Sequence, residues 1–165
     1  MTSCDLCNVQ DYEVIYNDVI RDGVVGIKTT IKHKVVKCCG CGLFRLLDNP
    51  LAIEYYQSDE YRNAYNETSN SSDYIKMHDN EQPPRLDKIG ADFFRDKIVL
   101  DYGCGGGAFL DLVSGLSGKT LGVEPFSGYH ESLIGRGHEI FSDIETAQSK
   151  YRGQVDSVIS FGVLE

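Results

Sequence analysis

No segment of this 165-residue chain is apolar for long enough to cross a bilayer, so no transmembrane helix is expected. The first residues, Met1-Thr2-Ser3-Cys4-Asp5, lack the basic start and apolar stretch of a secretory signal. Positive charge is scarce: 16 Lys and Arg stand against 25 Asp and Glu, a net charge of −9. A nucleic-acid backbone must be neutralised by Lys and Arg, so such a partner is not expected. The hydrophobic fraction, 41%, is slightly low for a packed chain, and no internal repeat is visible. These absences point to a cytoplasmic protein of one or two domains with no membrane partner.

What is present is concentrated between Lys97 and Glu124. An apolar run, Ile98-Val99-Leu100, enters Asp101-Tyr102-Gly103-Cys104-Gly105-Gly106-Gly107. A helical stretch follows, and Thr120-Leu121-Gly122-Val123 ends on Glu124, 23 positions after Asp101. Glycines let the backbone turn tightly and approach a ligand. The start of the following helix offers free N–H groups, and a carboxylate ending the second strand suits a ribose diol. The pattern describes a nucleoside-cofactor site. A dinucleotide site wants G-x-G-x-x-G or G-x-G-x-x-A, and Ala108 satisfies the last position. Asp101 argues against it, because a carboxylate there would repel a pyrophosphate and would suit a cationic ammonium group.

Read as D-x-G-x-G-x-G with an acidic residue closing the next strand, the segment resembles the first motifs of class I S-adenosylmethionine-dependent methyltransferases. The resemblance extends through Phe141-Ser142-Asp143-Ile144 and Val155–Glu165. It implies that Asp101 lies near the methionine ammonium, and that Gly103, Cys104 and Gly105 line the methionine moiety. Glu124 would take both ribose hydroxyls. Pro125 and Ile144 would pack on adenine, Asp143 would accept from its amino group, and Phe161 and Gly162 would lie beside the methionine end. Tyr102 and Gly107 complete the implied cofactor set. No catalytic base is assigned: in the family it commonly follows the fourth strand. Cys104 fits as a small loop residue, not as a nucleophile.

Six cysteines occur, and four form matched pairs, Cys4-x-x-Cys7 and Cys38-x-x-Cys41. Each pair can wrap one side of a tetrahedral ion. Strands over 12–16 and 26–36, joined by a turn at Asp22-Gly23, would bring the pairs together as in a zinc ribbon. Two disulfides are the rival, which an intracellular chain disfavours. Four thiolates leave no open position, so the Zn2+ is read as structural. Cys39 reads as a spare thiol and His33 as a solvent-facing strand residue. The segment Cys38–Arg45, with Asn49-Pro50 and Tyr55-Tyr56, resembles methyltransferases that carry an N-terminal zinc-binding module. Some of these act on nucleotide-linked sugars, others on natural products.

The expected organisation is a zinc module over 1–47, a linker or lid over 48–84 and the first part of a methyltransferase core over 85–165. In the middle part, tyrosines 55, 56, 61, 65 and 74 and His78 read equally as lid or packing residues. With Asn, Ser and Asp clustered from Asn63 to Asp73 and a break at Gln82-Pro83-Pro84, the segment reads as a short helix, a mobile loop and a linker. After Pro84, apolar residues at Leu86, Ile89 and Phe93 mark a helix face. The core is expected as strands 97–102, 119–124, 138–142 and 155–161, with helices 107–116, 126–135 and 144–151 between them. The expected fold class is α/β: a partial doubly wound, Rossmann-like parallel sheet of order 3-2-1-4 behind a small zinc-ribbon-like β module. The family's core has seven strands, so the chain reads as an incomplete fragment, with self-association expected through the exposed fourth-strand edge. Two other readings stay open: an NAD-dependent oxidoreductase domain, and a non-catalytic interaction module.

Overall fold

The computed structural model describes residues 3–4, 6–21, 26–47, 53–64 and 67–163. The expected turn at Asp22-Gly23, together with Asn49-Pro50, Tyr65 and Leu164-Glu165, lies outside them. The chain divides into two units, Met1–Ala52 and Ile53–Glu165.

The first unit is an antiparallel sheet of β1 (Tyr12–Asp18), β2 (His33–Cys38) and β3 (Phe44–Leu46), in that order. β1 pairs β2 from Tyr12↔Cys38 to Asp18↔His33, with an irregularity between Val14 and Tyr16. The strand expected over 26–36 begins only at His33. Upstream, Thr29 bends the chain: its hydroxyl takes the Ile20 N–H (3.2 Å) and donates to the Ile31 carbonyl (2.8 Å). Such local side-chain bonds compete with a ladder. His33 is buried rather than solvent-facing. β2 buries His33, Val36 and Cys38, a spacing of three and then two, so strict alternation misplaces His33.

The second unit begins with helices. These are α1 (Ile53–Tyr56), α2 (Asp59–Ala64), α3 (Ser71–His78) and α4 (Gln82–Ile89), with a 3-10 turn Asp79–Glu81 between the last two. The segment expected as one short helix, a loop and a linker therefore holds four helices among the described residues. Asn70 caps α3, its side-chain oxygen accepting the Asp73 N–H at 3.1 Å. Pro83 and Pro84 sit in the first turn of α4, where a missing N–H costs little.

Then follow β4 (Ile98–Tyr102), α5 (Ala108–Ser114), β5 (Lys119–Val123), α6 (His130–Gly135), β6 (Glu139–Phe141), α7 (Ile144–Tyr151) and β7 (Ser157–Ile159). The four strands form a parallel sheet in the order β6-β5-β4-β7. Successive residues of a strand face opposite sides, and β4 shows it. Leu100 packs with Leu121, Val123, Phe141, Ala147 and Tyr151 under α7. Val99 packs with Phe94, Phe109, Val113 and Ile159 under α5. A third cluster, Cys104, Leu110, Tyr129 and Leu133, joins α5 to α6 behind the glycine-rich turn. Gly122 keeps β5 close to that turn: a Cβ there would lie 2.6 Å from Cys104 Sγ and 2.8 Å from Ile140 Cδ1.

Candidate functional site

In the first unit the two cysteine turns converge. The first closes through Asn8 N–H to Cys4 O (2.8 Å), the second through Gly42 N–H to Cys38 O (2.9 Å). Gly42 has φ +77°, which favours glycine. Cys4 and Cys41 sulfurs lie 3.7 Å apart, Cys7 and Cys38 sulfurs 3.5 Å apart, and all four Sγ lie within 4.8 Å of one another. A tetrahedral ion about 2.3 Å from each sulfur separates its ligands by about 3.8 Å, so the donor set fits a metal ion. The Cys41 and Gly40 backbone N–H groups hold Cys38 down to about 6. The Val9 backbone also favours the Cys7 thiolate, but burial and the three neighbouring thiols outweigh it and push Cys7 up to about 12. Cys39 is exposed and outside the four.

In the second unit the turn after β4 carries the other group of candidates. Gly103, Gly105 and Gly107 all have positive φ, +78°, +54° and +82°. Gly105 shows the need most plainly: its conformation is left-handed and Tyr74 Oη occupies the space where a Cβ would go. Tyr74 also lies on Gly106, where a Cβ would stand 2.6 Å from Tyr74 Cδ1. Arg136 ties the turn from the far side, donating to the Gly106 carbonyl and to Asp111.

Glu124 stands where the sequence put it, just beyond β5. It is buried; one oxygen accepts the Gly105 N–H (2.9 Å) and the other the Phe126 N–H (2.7 Å). The Arg62 guanidinium lies 3.7 Å away, almost fully buried, and stacks 3.5 Å from the Phe126 ring centroid. Burial raises the Glu124 pKa, while the Phe126 N–H and Arg62 act against the rise. A carboxylate has about four acceptor positions, so these two N–H bonds leave room for two more donors.

Asp101 ends up 3% exposed, with Oδ1 lacking any hydrogen-bond partner. Burial, opposed by Arg85 and reinforced by Glu124, pushes its carboxyl up to about 7. A buried carboxylate left this way is costly. It borders a cavity of about 40 Å³ with Gly103 and Cys104 of the turn, Phe161 after β7, and Tyr74, His78, Gln82 and Arg85 of α3 and α4. The Cys104 thiol is pushed well up, chiefly by burial, so it is no nucleophile.

The structure thus gathers Asp101, Gly103, Cys104 and Phe161 around one cavity, with Gly105 and Glu124 bonded to each other beside it. Gly107 packs against Leu133, Pro125 is half-buried and Gly162 is exposed with φ +68°. Tyr102 and Ile144 instead line a separate apolar groove of about 520 Å³ between α7 and β7, with Leu100, Tyr151, Val155 and Val158. Asp143 is exposed and caps α7, accepting the Thr146 N–H at 2.7 Å. Sequence reasoning missed Arg62, Gln82 and Arg85. A signal was present for two of them, because His78, Glu81, Gln82 and Arg85 fall at helical spacing.

The chain matches no protein-family model, and no curated protein is significantly similar to it. Among the described residues no helix is long and apolar enough to cross a membrane.

Proposed function

We propose that the second unit binds S-adenosylmethionine and belongs to a methyltransferase acting on a small molecule. One observation carries the reading: a buried, unpartnered carboxylate, Asp101, faces a cavity beside the glycine-rich turn. A negative wall favours a cationic ligand group and disfavours a pyrophosphate. The parallel sheet order and the Glu124–Gly105 bond are consistent with a Rossmann-like nucleoside site.

The residues fit that ligand in kind. Asp101 supplies a counter-charge for an ammonium group, and Glu124 keeps two acceptor positions for a ribose diol. S-adenosylmethionine, when bound, supplies an already activated methyl group. The chain's own part is to bind, orient and exclude water. A cavity of about 40 Å³ is too small for an adenosyl nucleoside, and Tyr74 covers the turn. Binding therefore requires α3 to withdraw Tyr74 from Gly105 and Gly106. The metal of the four-cysteine cluster is read as structural zinc, since four thiolates close the coordination sphere.

Calorimetric titration with S-adenosylhomocysteine and with NAD tests the reading. It expects binding of the first, lost in Glu124→Ala, and no binding of the second. Binding of NAD alone would overturn it.

A further inference from the structure

Arg136 and His138 lie two residues apart between α6 and β6, and both side chains reach Asp111 in the first turn of α5. His138 Nε2 is 2.8 Å from one carboxylate oxygen, and Arg136 donates to the other. The bonding continues at both ends. On one side, His138 Nδ1 lies 2.8 Å from the Thr120 hydroxyl of β5. On the other, Arg136 donates to the Gly106 carbonyl of the glycine-rich turn, while its Nε donates to the Ser132 carbonyl at 3.2 Å. His138 and Thr120 are buried, and Arg136 and Asp111 are half-buried.

The imidazole proton is assigned to Nε2, because a carboxylate faces that nitrogen. Nδ1 is then an acceptor and takes the Thr120 hydroxyl proton. Each donor of the network thus meets an acceptor, from β5 through His138, Asp111 and Arg136 to the Gly106 carbonyl. A satisfied network of this kind holds its members in one orientation. Its last acceptor matters most. Glycine has the widest backbone freedom of any residue, and Gly105, Gly106 and Gly107 carry no side chains that could fix the turn. A guanidinium is a planar fork that holds a carbonyl and a carboxylate at once, whereas an ammonium is a point charge on a flexible stem. None of the four side chains borders the cavity beside Asp101, so their effect on a ligand there must pass through the turn.

We propose that Arg136 is a positioning residue for the glycine-rich turn: clamped by Asp111, with His138 and Thr120 behind it, it fixes the Gly106 carbonyl and so keeps the Gly105 N–H on Glu124 in the shape that takes the ligand. The proposal rests on the adenosyl reading above and deepens it, by assigning the shape of the turn to a side chain outside the cavity.

The experiment pairs calorimetric titration with S-adenosylhomocysteine and amide NMR of the free 165-residue chain. Arg136→Ala is expected to weaken binding by roughly 10- to 100-fold, the range for losing one charge-assisted bond. Arg136→Lys should lose nearly as much, because an ammonium cannot bridge the carbonyl and the carboxylate. Added methylguanidinium should restore part of the Arg136→Ala affinity, and methylammonium should not. Asp111→Asn should weaken binding by itself and add nothing to Arg136→Ala, since both act through one contact. In the free protein, Arg136→Ala should shift the Gly106 and Gly107 amides and speed exchange of the Gly105 N–H. Circular dichroism confirms that each variant is folded. Unchanged affinity in folded Arg136→Ala, a loss that Arg136→Lys does not share, or equal recovery with the two cations would overturn the proposal. Turn amides left in place by Arg136→Ala would overturn it too, independently of any ligand. An unmodified chain that binds no S-adenosylhomocysteine would overturn the adenosyl reading, and shifted turn amides would still leave Arg136 as the residue that sets the turn.

Discussion

Asp101→Asn separates a carboxylate kept for a ligand from one kept for the fold. Asp101 has an ordinary carboxyl pKa of 3.8 when exposed and about 7 in its buried position. The folded value is the higher one, so the unfolded state ionises first as pH rises, and stability falls between those two values. At 1.36 kcal/mol per pH unit, the buried charge costs about 4 kcal/mol at pH 8 and about 2 kcal/mol at pH 5.5. The amide in Asp101→Asn also lacks partners, at about 1–3 kcal/mol that does not vary with pH. The variant is therefore expected to be more stable than the parent at pH 8 by about 1–3 kcal/mol and close to it at pH 5.5. Urea unfolding followed by circular dichroism at both pH values, with zinc present, reads the difference directly. The variant's advantage should shrink by about 2 kcal/mol as pH drops to 5.5. An advantage that is the same at both values, or a loss of stability that is, would refute the reasoning. The same substitution should abolish binding of S-adenosylhomocysteine, so stability and ligand affinity should move in opposite directions.

Other outcomes follow from the same structure. The four-cysteine cluster should bind one zinc per chain, and Cys38→Ser or a strong chelator should unfold the first unit, because metal binding there is folding energy. Metal analysis and circular dichroism check this. Tyr74→Ala, at a half-buried ring, should cost about 1–2 kcal/mol of stability, yet speed association of S-adenosylhomocysteine in stopped-flow mixing, because Tyr74 covers Gly105 and Gly106. β7 pairs only with β4 among the described residues, and Val158 on it is 61% exposed. Concentration-dependent self-association in sedimentation, reduced by Val158→Lys, is the expected consequence.

The parallel sheet was largely legible. Its strands are short apolar runs between glycine-rich or capped turns, a pattern that buried strands enforce. The expected strand at 97–102 is Ile98–Tyr102, the one at 119–124 is Lys119–Val123, and helix 144–151 is Ile144–Tyr151. The cysteine cluster was legible because paired spacing leaves few other geometries. The helices between 53 and 84 were less so, since Asn, Ser and Asp read as loop formers when one of them, Asn70, is in fact a cap. Arg62 was hidden for a different reason. Its partner Glu124 is 62 positions away, and only the tertiary fold brings them together. His33 and Asp143 show the reverse. At His33 the local alternation suggested a solvent-facing strand position, but packing buries it; at Asp143, which the resemblance implied as an adenine contact, one carboxylate oxygen caps α7.

The central claim is that the turn after β4 and Glu124 together hold an adenosyl ligand. Amide NMR spectra of 15N-labelled protein titrated with S-adenosylhomocysteine test it most directly, because the Gly105 N–H now donates to Glu124. The account predicts shifts at Gly103, Gly105, Gly106, Gly107 and Glu124, absent in Glu124→Ala. No shift at these amides, or shifts only with NAD, would contradict it.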